Sequence, residues 1–209
     1  MKTRSESLFE EFLTFNNLRF EKIREDTTPR PDYRVSVGGC VIIFEIKELV
    51  EDRNFGVVKD PAYPHIKNSS RTVGRHIRRR IKSSKKQIEF GAEQGVPSIL
   101  LIYNNLDPVF QEFGTGPMDF TAAMYGAYTV LINRETRTAS GWFNGEDQML
   151  QESENTSFSA VGHLCDRDGK ATVTLYENVF AKIKVPYSQL PACFDVPRIE
   201  VSRNPLVVP

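Results

Sequence analysis

Three charged side chains frame one apolar stretch of the sequence, PDYRVSVGGCVIIFEIK, which runs from residue 31 to residue 47. Asp32 stands near its start, and Glu45 and Lys47 stand near its end. Two acids close together repel each other unless a hard cation such as Mg²⁺ lies between them. A lysine beside that cation can orient a water for attack on phosphorus, while the cation stabilises the charge that develops on the phosphate. These residue types therefore indicate metal-assisted hydrolysis of a phosphodiester bond.

The glycine pair Gly38-Gly39 predicts how the two acids meet. Two apolar runs joined by Gly-Gly are typical of a tight hairpin, and counting back from its two-residue turn places Asp32 opposite Glu45. Opposed side chains have Cβ atoms ~5 Å apart on one face, and Lys47 projects from that same face. We expect that face to form a site. The other face is expected to belong to the core, with Tyr33, Val35, Val37, Ile42, Phe44 and Ile46.

The motif formed by Pro31-Asp32, a spacer and Glu45-Ile46-Lys47 resembles that of the PD-(D/E)XK nuclease superfamily. The resemblance covers about residues 5 to 104 and implies a restriction-endonuclease-like fold. In that fold a mixed β-sheet core is flanked by helices, and here additional C-terminal strands would follow. The resemblance also implies that Asp32 and Glu45 bind Mg²⁺ or Mn²⁺ and that Lys47 positions the attacking water.

The family often carries a further glutamate on the helix before the motif, and the segment SESLFEEFLTFNNL predicts such a helix. Its apolar stripe is Leu8, Phe9, Phe12, Leu13 and Phe15. Glu10 lies opposite Phe12 and Phe15 on a helical wheel and is expected to be solvated, whereas Glu6 and Glu11 border the stripe. Wheel geometry leaves both of these open. The family's spacing favours Glu6 as the additional metal ligand.

A long helix is predicted from about Ser70 to Phe90, with the apolar stripe Val73, Ile77, Ile81, Ser84 and Ile88. The wheel places Arg80 and Gln87 together on one border of this stripe. The family has a glutamine, sometimes with a basic residue, on the helix that follows the motif. The resemblance therefore implies that Gln87 and Arg80 support the catalytic site.

The same region concentrates positive charge in a chain whose formal net charge is zero. From residue 61 to residue 88 there are nine Lys and Arg and no Asp or Glu. This segment is expected to contact the phosphates of a nucleic acid, with Arg80 turned toward the site and the others facing outward. The residues expected to bind nucleic acid are Arg75, Arg78, Arg79, Arg80, Lys82 and Lys86.

Length and composition predict one α/β domain over residues 1 to 209. Its motif-bearing core would span about residues 5 to 104, and a β-rich extension residues 105 to 209. Three widely separated cysteines and no clustered histidines predict neither disulfides nor zinc. No apolar stretch is long enough for a membrane span or a signal peptide, so a cytoplasmic protein is expected. A homodimer is allowed, and nothing in the sequence requires one.

Two alternatives to a nuclease that acts on DNA in preference to RNA stay open. One is a nuclease-fold module that binds nucleic acid without cleaving it, although the complete set of Asp, Glu and Lys argues against this. The other is a purely structural α/β domain, which would bind no metal. A nucleotide-binding phosphate loop is not indicated, because GTGPMD at residues 114 to 119 lacks the Lys-Ser/Thr pair and is interpreted as a turn.

Overall fold

The computed structural model describes residues 2–24, 27–50, 58–59, 62, 67–68, 72–106 and 115–202. A short 3₁₀ turn at Tyr187–Gln189 precedes the last strand. The helices and strands in chain order are α1 (Arg4–Phe15), β1 (Arg19–Lys22), β2 (Tyr33–Val37), β3 (Cys40–Leu49), β4 (Val58–Lys59), β5 (Lys67–Asn68), α2 (Arg75–Ser83), α3 (Lys85–Glu93), β6 (Ser98–Asn104), α4 (Pro117–Tyr125), β7 (Tyr128–Thr129), β8 (Phe143–Asn144), β9 (Ala160–Arg167), β10 (Lys170–Glu177) and β11 (Phe194–Asp195).

Seven strands form one mixed sheet in the order β1-β2-β3-β6-β9-β10-β11. Strands β1, β2 and β3 pair antiparallel, whereas β3, β6 and β9 run parallel to one another. Strand β10 returns antiparallel to β9, and β11 pairs parallel to β10. The predicted mixed α/β class is confirmed. The C-terminal strands extend the same sheet as the strands that carry the motif.

Helices cover both faces of this sheet. Helix α1 packs on one face, where Phe9 and Phe12 join a cluster with Tyr33 and Phe44. Helices α2, α3 and α4 pack on the other face, in a cluster with residues of β6 such as Leu100. Every residue of β6 is therefore buried, as expected for a parallel strand covered on both sides.

Helix α1 begins with a capping box. Thr3 Oγ1 accepts a hydrogen bond from the N–H of Glu6, and Glu6 accepts one from the N–H of Thr3. Asn16 caps the other end and Asn17 has a φ of 54°, so the helix ends where the asparagines predict. Phe15 is 71% exposed, contrary to the expected stripe. Phe15 is the last residue of α1, and its ring is covered by the ammonium of Lys170 and not by the sheet.

The long helix expected between residues 70 and 90 is two helices, α2 and α3, which meet at Ser84. Residues 69 to 71 lie outside the described part of the chain. Ser84 has a φ of −99° and a ψ of 3°, and its N–H still donates to the carbonyl of Arg80. The expected stripe is buried from Ile77 to Ile88, but Val73 is exposed because it precedes α2.

Two smaller expectations have clear outcomes. The segment interpreted as a turn at residues 114 to 119 contains the start of α4, because Pro117 occupies the first turn of that helix. Cys40, Cys165 and Cys193 are all free thiols. Among the residues that the structure describes, no helix is long and apolar enough to cross a membrane.

Candidate active site

The hairpin that carries the motif has the predicted register. Val37 pairs with Cys40 and Tyr33 with Phe44 across the Gly38-Gly39 turn. Both glycines have positive φ, which the two-residue turn requires. Asp32 lies one residue beyond the last pair, and its charge is close enough to Glu45 to contribute to the raised pKa of that residue. The structure therefore brings the two acids together, as the register count predicts.

Glu45 is buried to a degree that the hairpin alone did not predict. Its side chain points away from the α1 face, but only 2% of it is exposed, because Leu100 of β6 is its neighbour in the sheet and helices cover that face too. Burial, together with the nearby charge of Asp32, raises the pKa of Glu45 to about 8. The expectation of one core face and one open face is wrong at this position, since helices also cover the face of the sheet that carries Glu45.

Asp32 is held by the backbone of both neighbouring strands. Its N–H donates to the carbonyl of Phe44 at 3.1 Å, and its carbonyl accepts from the N–H of Ile23 at 2.8 Å. Oδ2 accepts a hydrogen bond from the N–H of Ile46 at 2.7 Å. Burial raises the pKa of Asp32, and the bond from Ile46 and the charge of Lys47 oppose the increase. The carboxyl group is thus fixed beside Glu45.

Lys47 completes the group. Its Nζ lies 2.5 Å from Oε1 of Glu45, and the Lys47 side chain is 26% exposed. The ammonium group therefore links the buried carboxyl to solvent. A water or a phosphate oxygen that enters from outside would meet Lys47 before Glu45.

The second oxygen of Glu45 tests whether a cation fits here. Oε2 is buried, and no hydrogen-bond donor reaches it from the described residues. An orphaned carboxylate oxygen beside a second carboxyl group is a donor set that suits Mg²⁺ or Mn²⁺. Within the described ranges no three His, Cys, Asp or Glu side chains form a ready metal cluster. The fit therefore rests on Asp32 and Glu45, and water would complete the coordination.

Glu6 lies close to Asp32 and Lys47, but its ion-pair partner is Lys22. It lines the cleft that contains Asp32 and Lys47, and Lys22 Nζ lies 2.5 Å from its Oε1. Burial raises the pKa of Glu6, but the hydrogen bonds from Lys22 and Thr3 lower it by more, so that it stays below its usual value. Glu6 is thus near the acids and engaged by a lysine. As a metal ligand it stays a prediction.

The other two glutamates of α1, Glu10 and Glu11, have different surroundings in the structure. Glu11 is exposed. Glu10 is not solvated as expected, because Tyr33 Oη donates to it at 2.8 Å and Lys2 pairs with it at 2.8 Å. It lies one turn after Glu6 and so shares its side of the helix.

The cleft has a volume of about 400 Å³. The N-terminus of α1 forms one wall, and Ile46, Lys47 and Glu48 form another. Glu48 joins these walls, since its carboxylate accepts from the N–H of Ser5 at 2.9 Å and from the amide of Asn105 at 2.8 Å. Sequence reasoning missed Glu48 and Lys22. The only local signal was a second acid directly after Lys47.

Gln87 and Arg80 do not line this cleft. Arg80 reaches its border, where the guanidinium donates to the carbonyl of Glu48 at 3.1 Å. Gln87 is half-buried on α3. The break at Ser84 places the two residues on different helices, so the single-helix wheel that paired them does not apply.

Arg78 does not face outward, contrary to the expectation. Its guanidinium donates to the carbonyls of Asp147 at 2.8 Å, Val73 at 2.9 Å and Ala122 at 3.0 Å. Desolvation lowers its pKa. Arg78 turns inward because α4 packs against this side of α2, a contact that the sequence did not predict. Arg78 is therefore a structural residue and is withdrawn from the nucleic-acid surface.

This assignment predicts that Arg78→Ala destabilises the fold by about 2–3 kcal/mol, because three carbonyls lose a charged donor. Urea unfolding followed by circular dichroism measures the change. Lys82→Ala is the matched control on the same helix, since Lys82 is exposed, and it should change stability by less than about 0.5 kcal/mol. Equal effects of the two substitutions would contradict a structural role for Arg78.

Four of the remaining predicted cations are exposed on α2 and α3, namely Arg75, Arg79, Lys82 and Lys86. Lys67 and Arg71 belong to the same basic segment, but the structure does not describe their side chains. The exposed cations leave positive charge on the helices that cover the Glu45 side of the sheet.

Comparison of the chain with protein-family models, with curated proteins and with solved structures gave no match.

Proposed function

We propose that this protein is a metal-dependent nuclease that hydrolyses phosphodiester bonds in DNA. The observation that carries the proposal is the acid pair of half-buried Asp32 and buried Glu45. One carboxylate oxygen of Glu45 is orphaned, and the ammonium of Lys47 lies 2.5 Å from the other. Two adjacent carboxyls largely removed from water are costly for a fold that does not use them, because each ionises less readily beside the other.

The order of the elements supports a restriction-endonuclease-like fold. One helix precedes three antiparallel strands, two helices follow, and a parallel strand then pairs with the third strand. Asp32 lies directly before β2 and Glu45 lies within β3, which agrees with the motif. Helix α1 adds Glu6 to the same cleft.

Each residue has a role in the proposed reaction. Asp32 and Glu45 would hold the cation, and Glu6, which lines the same cleft as Asp32, would be a further ligand. A bound Mg²⁺ or Mn²⁺ would supply an acidified water and stabilise negative charge on the phosphate. Lys47 donates hydrogen bonds to the attacking water and orients it, because its ammonium has three donors and lies at the mouth of the buried pair. Arg80 supports the site through the backbone of Glu48, and Gln87 stays a candidate for the same task.

The substrate must be brought to a site that is rich in carboxylates. The exposed cations Arg75, Arg79, Lys82 and Lys86 supply positive potential for the phosphate backbone. A nucleic-acid duplex, whose charge density is high, suits this surface, and we propose DNA as the substrate.

The test is cleavage of labelled linear DNA, supercoiled DNA and RNA by the purified protein in Mg²⁺, in Mn²⁺ and in EDTA. We expect cleavage of DNA with either metal and none in EDTA. Glu45→Gln is the matched control, because it keeps the size of the side chain and removes its ability to ionise. It should be inactive under all conditions.

The outcomes separate the alternatives. Metal-independent binding of DNA without cleavage would support a silent binding module. Failure to bind both metal and nucleic acid would support a structural domain. Cleavage that survives in Glu45→Gln would show a contaminating nuclease and would remove the support for this site.

A further inference from the structure

A second cleft adjoins the carboxylate site, and sequence reasoning did not predict it. It has a volume of about 670 Å³ and lies between the end of β1, the start of β2 and helix α3. Lys22 lines both clefts, so the two are neighbours at this residue. Asp32 lies in the carboxylate cleft, on the segment between Arg30 and Arg34.

Whereas the lining of the first cleft holds three lysines and three acids, that of the second cleft has a net positive charge. Its described lining contains four cations and one acid, Glu21. Glu21 stands opposite Arg34 in the sheet. Positive side chains therefore outnumber acids among the residues that line this cleft. The cations are Lys22, Arg24, Arg30 and Arg34.

Two of the arginines, Arg30 and Arg34, contact residues of α3 or its C-terminal cap. The guanidinium of Arg30 lies 5.3 Å from the ring centroid of Phe90, and that of Arg34 donates to Gln94 at 3.3 Å. Stacking on an aromatic ring fixes the orientation of an arginine side chain. Arg24 and Arg34 are exposed, and Arg30 is half-buried. These cations converge on one concave surface, which distinguishes them from the cations spread along α2 and α3.

We propose that this basic cleft binds the phosphates of a nucleic-acid backbone and leads the strand to Asp32 and Glu45. The proposal rests on the nuclease function proposed above and deepens it by assigning the path of the substrate. A polyanion approaching two carboxyls is repelled unless positive charge lies beside them, and Lys22 with the three arginines supplies that charge next to the acids. Guanidinium groups bind phosphate through paired donors, which suits Arg24, Arg30 and Arg34.

The experiment measures binding of a fluorescein-labelled 20-base-pair duplex by anisotropy, in EDTA to prevent hydrolysis, between 50 and 200 mM NaCl. The test variant is Arg24→Ala with Arg34→Ala, since both side chains are exposed and their loss should not disturb the core. Each lost phosphate contact lowers the slope of log Kd against log salt by about 0.9. The double variant should therefore bind more weakly, with a slope reduced by about 1.8.

The control is Arg134→Ala with Arg137→Ala, which removes the same charge from an exposed turn outside both clefts. It should leave the slope unchanged. The proposal is overturned if the two double variants behave alike, or if only Arg75→Ala with Lys82→Ala reduces the slope. In either case cleavage by the unaltered protein would still stand, so the nuclease function would survive the loss of this path. If the slope falls as expected but the protein cleaves nothing, the basic cleft stands and the catalytic assignment fails.

A competition arm distinguishes a polymer from a small anion. Inorganic phosphate should displace the duplex no better than chloride of the same ionic strength, because a single phosphate contacts only part of the cleft. Strong displacement by inorganic phosphate alone would indicate a site for a small phosphate compound and would overturn the proposal.

Discussion

Asp32→Ala is expected to abolish both Mn²⁺ binding and hydrolysis, whereas Lys47→Ala should abolish hydrolysis and leave Mn²⁺ binding nearly intact. Asp32 and Glu45 are the two adjacent carboxyl groups, and the loss of Asp32 leaves Glu45 with only Glu6, which is engaged by Lys22. A charged lysine has no lone pair for a metal, so Lys47 cannot be a ligand. The removal of the Lys47 side chain should lower the rate of hydrolysis by about 10²–10⁴-fold, which is the usual contribution of one proton-transfer or water-orienting group.

Two effects of Lys47→Ala on the metal oppose each other. The ammonium lies 2.5 Å from Glu45 and repels a cation, so its loss favours metal binding. The same ammonium lowers the pKa of Glu45, so its loss also leaves the carboxyl more protonated and less available. Because these effects have opposite signs, we expect little net change in affinity.

Calorimetric titration with Mn²⁺ and cleavage assays on the same preparations measure the two quantities. Lys182→Ala, which removes an exposed lysine from another part of the chain, is the control for the loss of one positive charge. Equal loss of metal binding in Asp32→Ala and Lys47→Ala would contradict the assigned roles. So would a Lys47→Ala protein that retains its rate.

The second large effect is a fall in stability as pH rises in the absence of metal. The pKa of Glu45 is raised to about 8 in the folded protein, whereas the unfolded chain has an ordinary glutamate. Between these two values the folded state binds more protons than the unfolded state, so the free energy of unfolding decreases with pH. The neutral carboxyl is fully favourable below the unfolded pKa, and the advantage is lost as pH passes through 8. The loss is at most about 5 kcal/mol, at 1.36 kcal/mol per unit of pKa.

Urea unfolding in EDTA at pH 5, 6.5 and 8 measures this dependence. Glu45→Gln cannot ionise and should flatten most of the slope, so that it is the more stable protein at pH 8. Glu135→Gln, at an exposed turn, should retain the slope of the unaltered protein. A Glu45→Gln protein that loses stability with pH as steeply as the unaltered chain would show that Glu45 is not the group responsible.

Local pattern was sufficient for the parts of the site that lie close together in the chain. The Gly38-Gly39 turn sets the register of its own hairpin, because a two-residue loop allows only one pairing of the flanking strands. Side chains alternate along a strand, so the position of Glu45 relative to Phe44 and Ile46 follows from the turn. The asparagines that end α1 act through backbone geometry that is equally local. Asp32, Glu45 and Lys47 could therefore be placed together from the sequence.

Contacts between remote segments decided what surrounds those residues. Glu45 is buried because β6 and the helices that follow it cover its face of the sheet, and Arg78 turns inward because α4 packs against α2. The basic cleft requires β1, β2 and α3 to converge, and Lys22 meets Glu6 only in the folded chain. Periodicity shows which face of an element is apolar, but it carries no information about which other element will cover that face. The sequence alone thus determined the identity and register of the acid pair, whereas tertiary packing decided its burial, its pKa and the positive charge beside it.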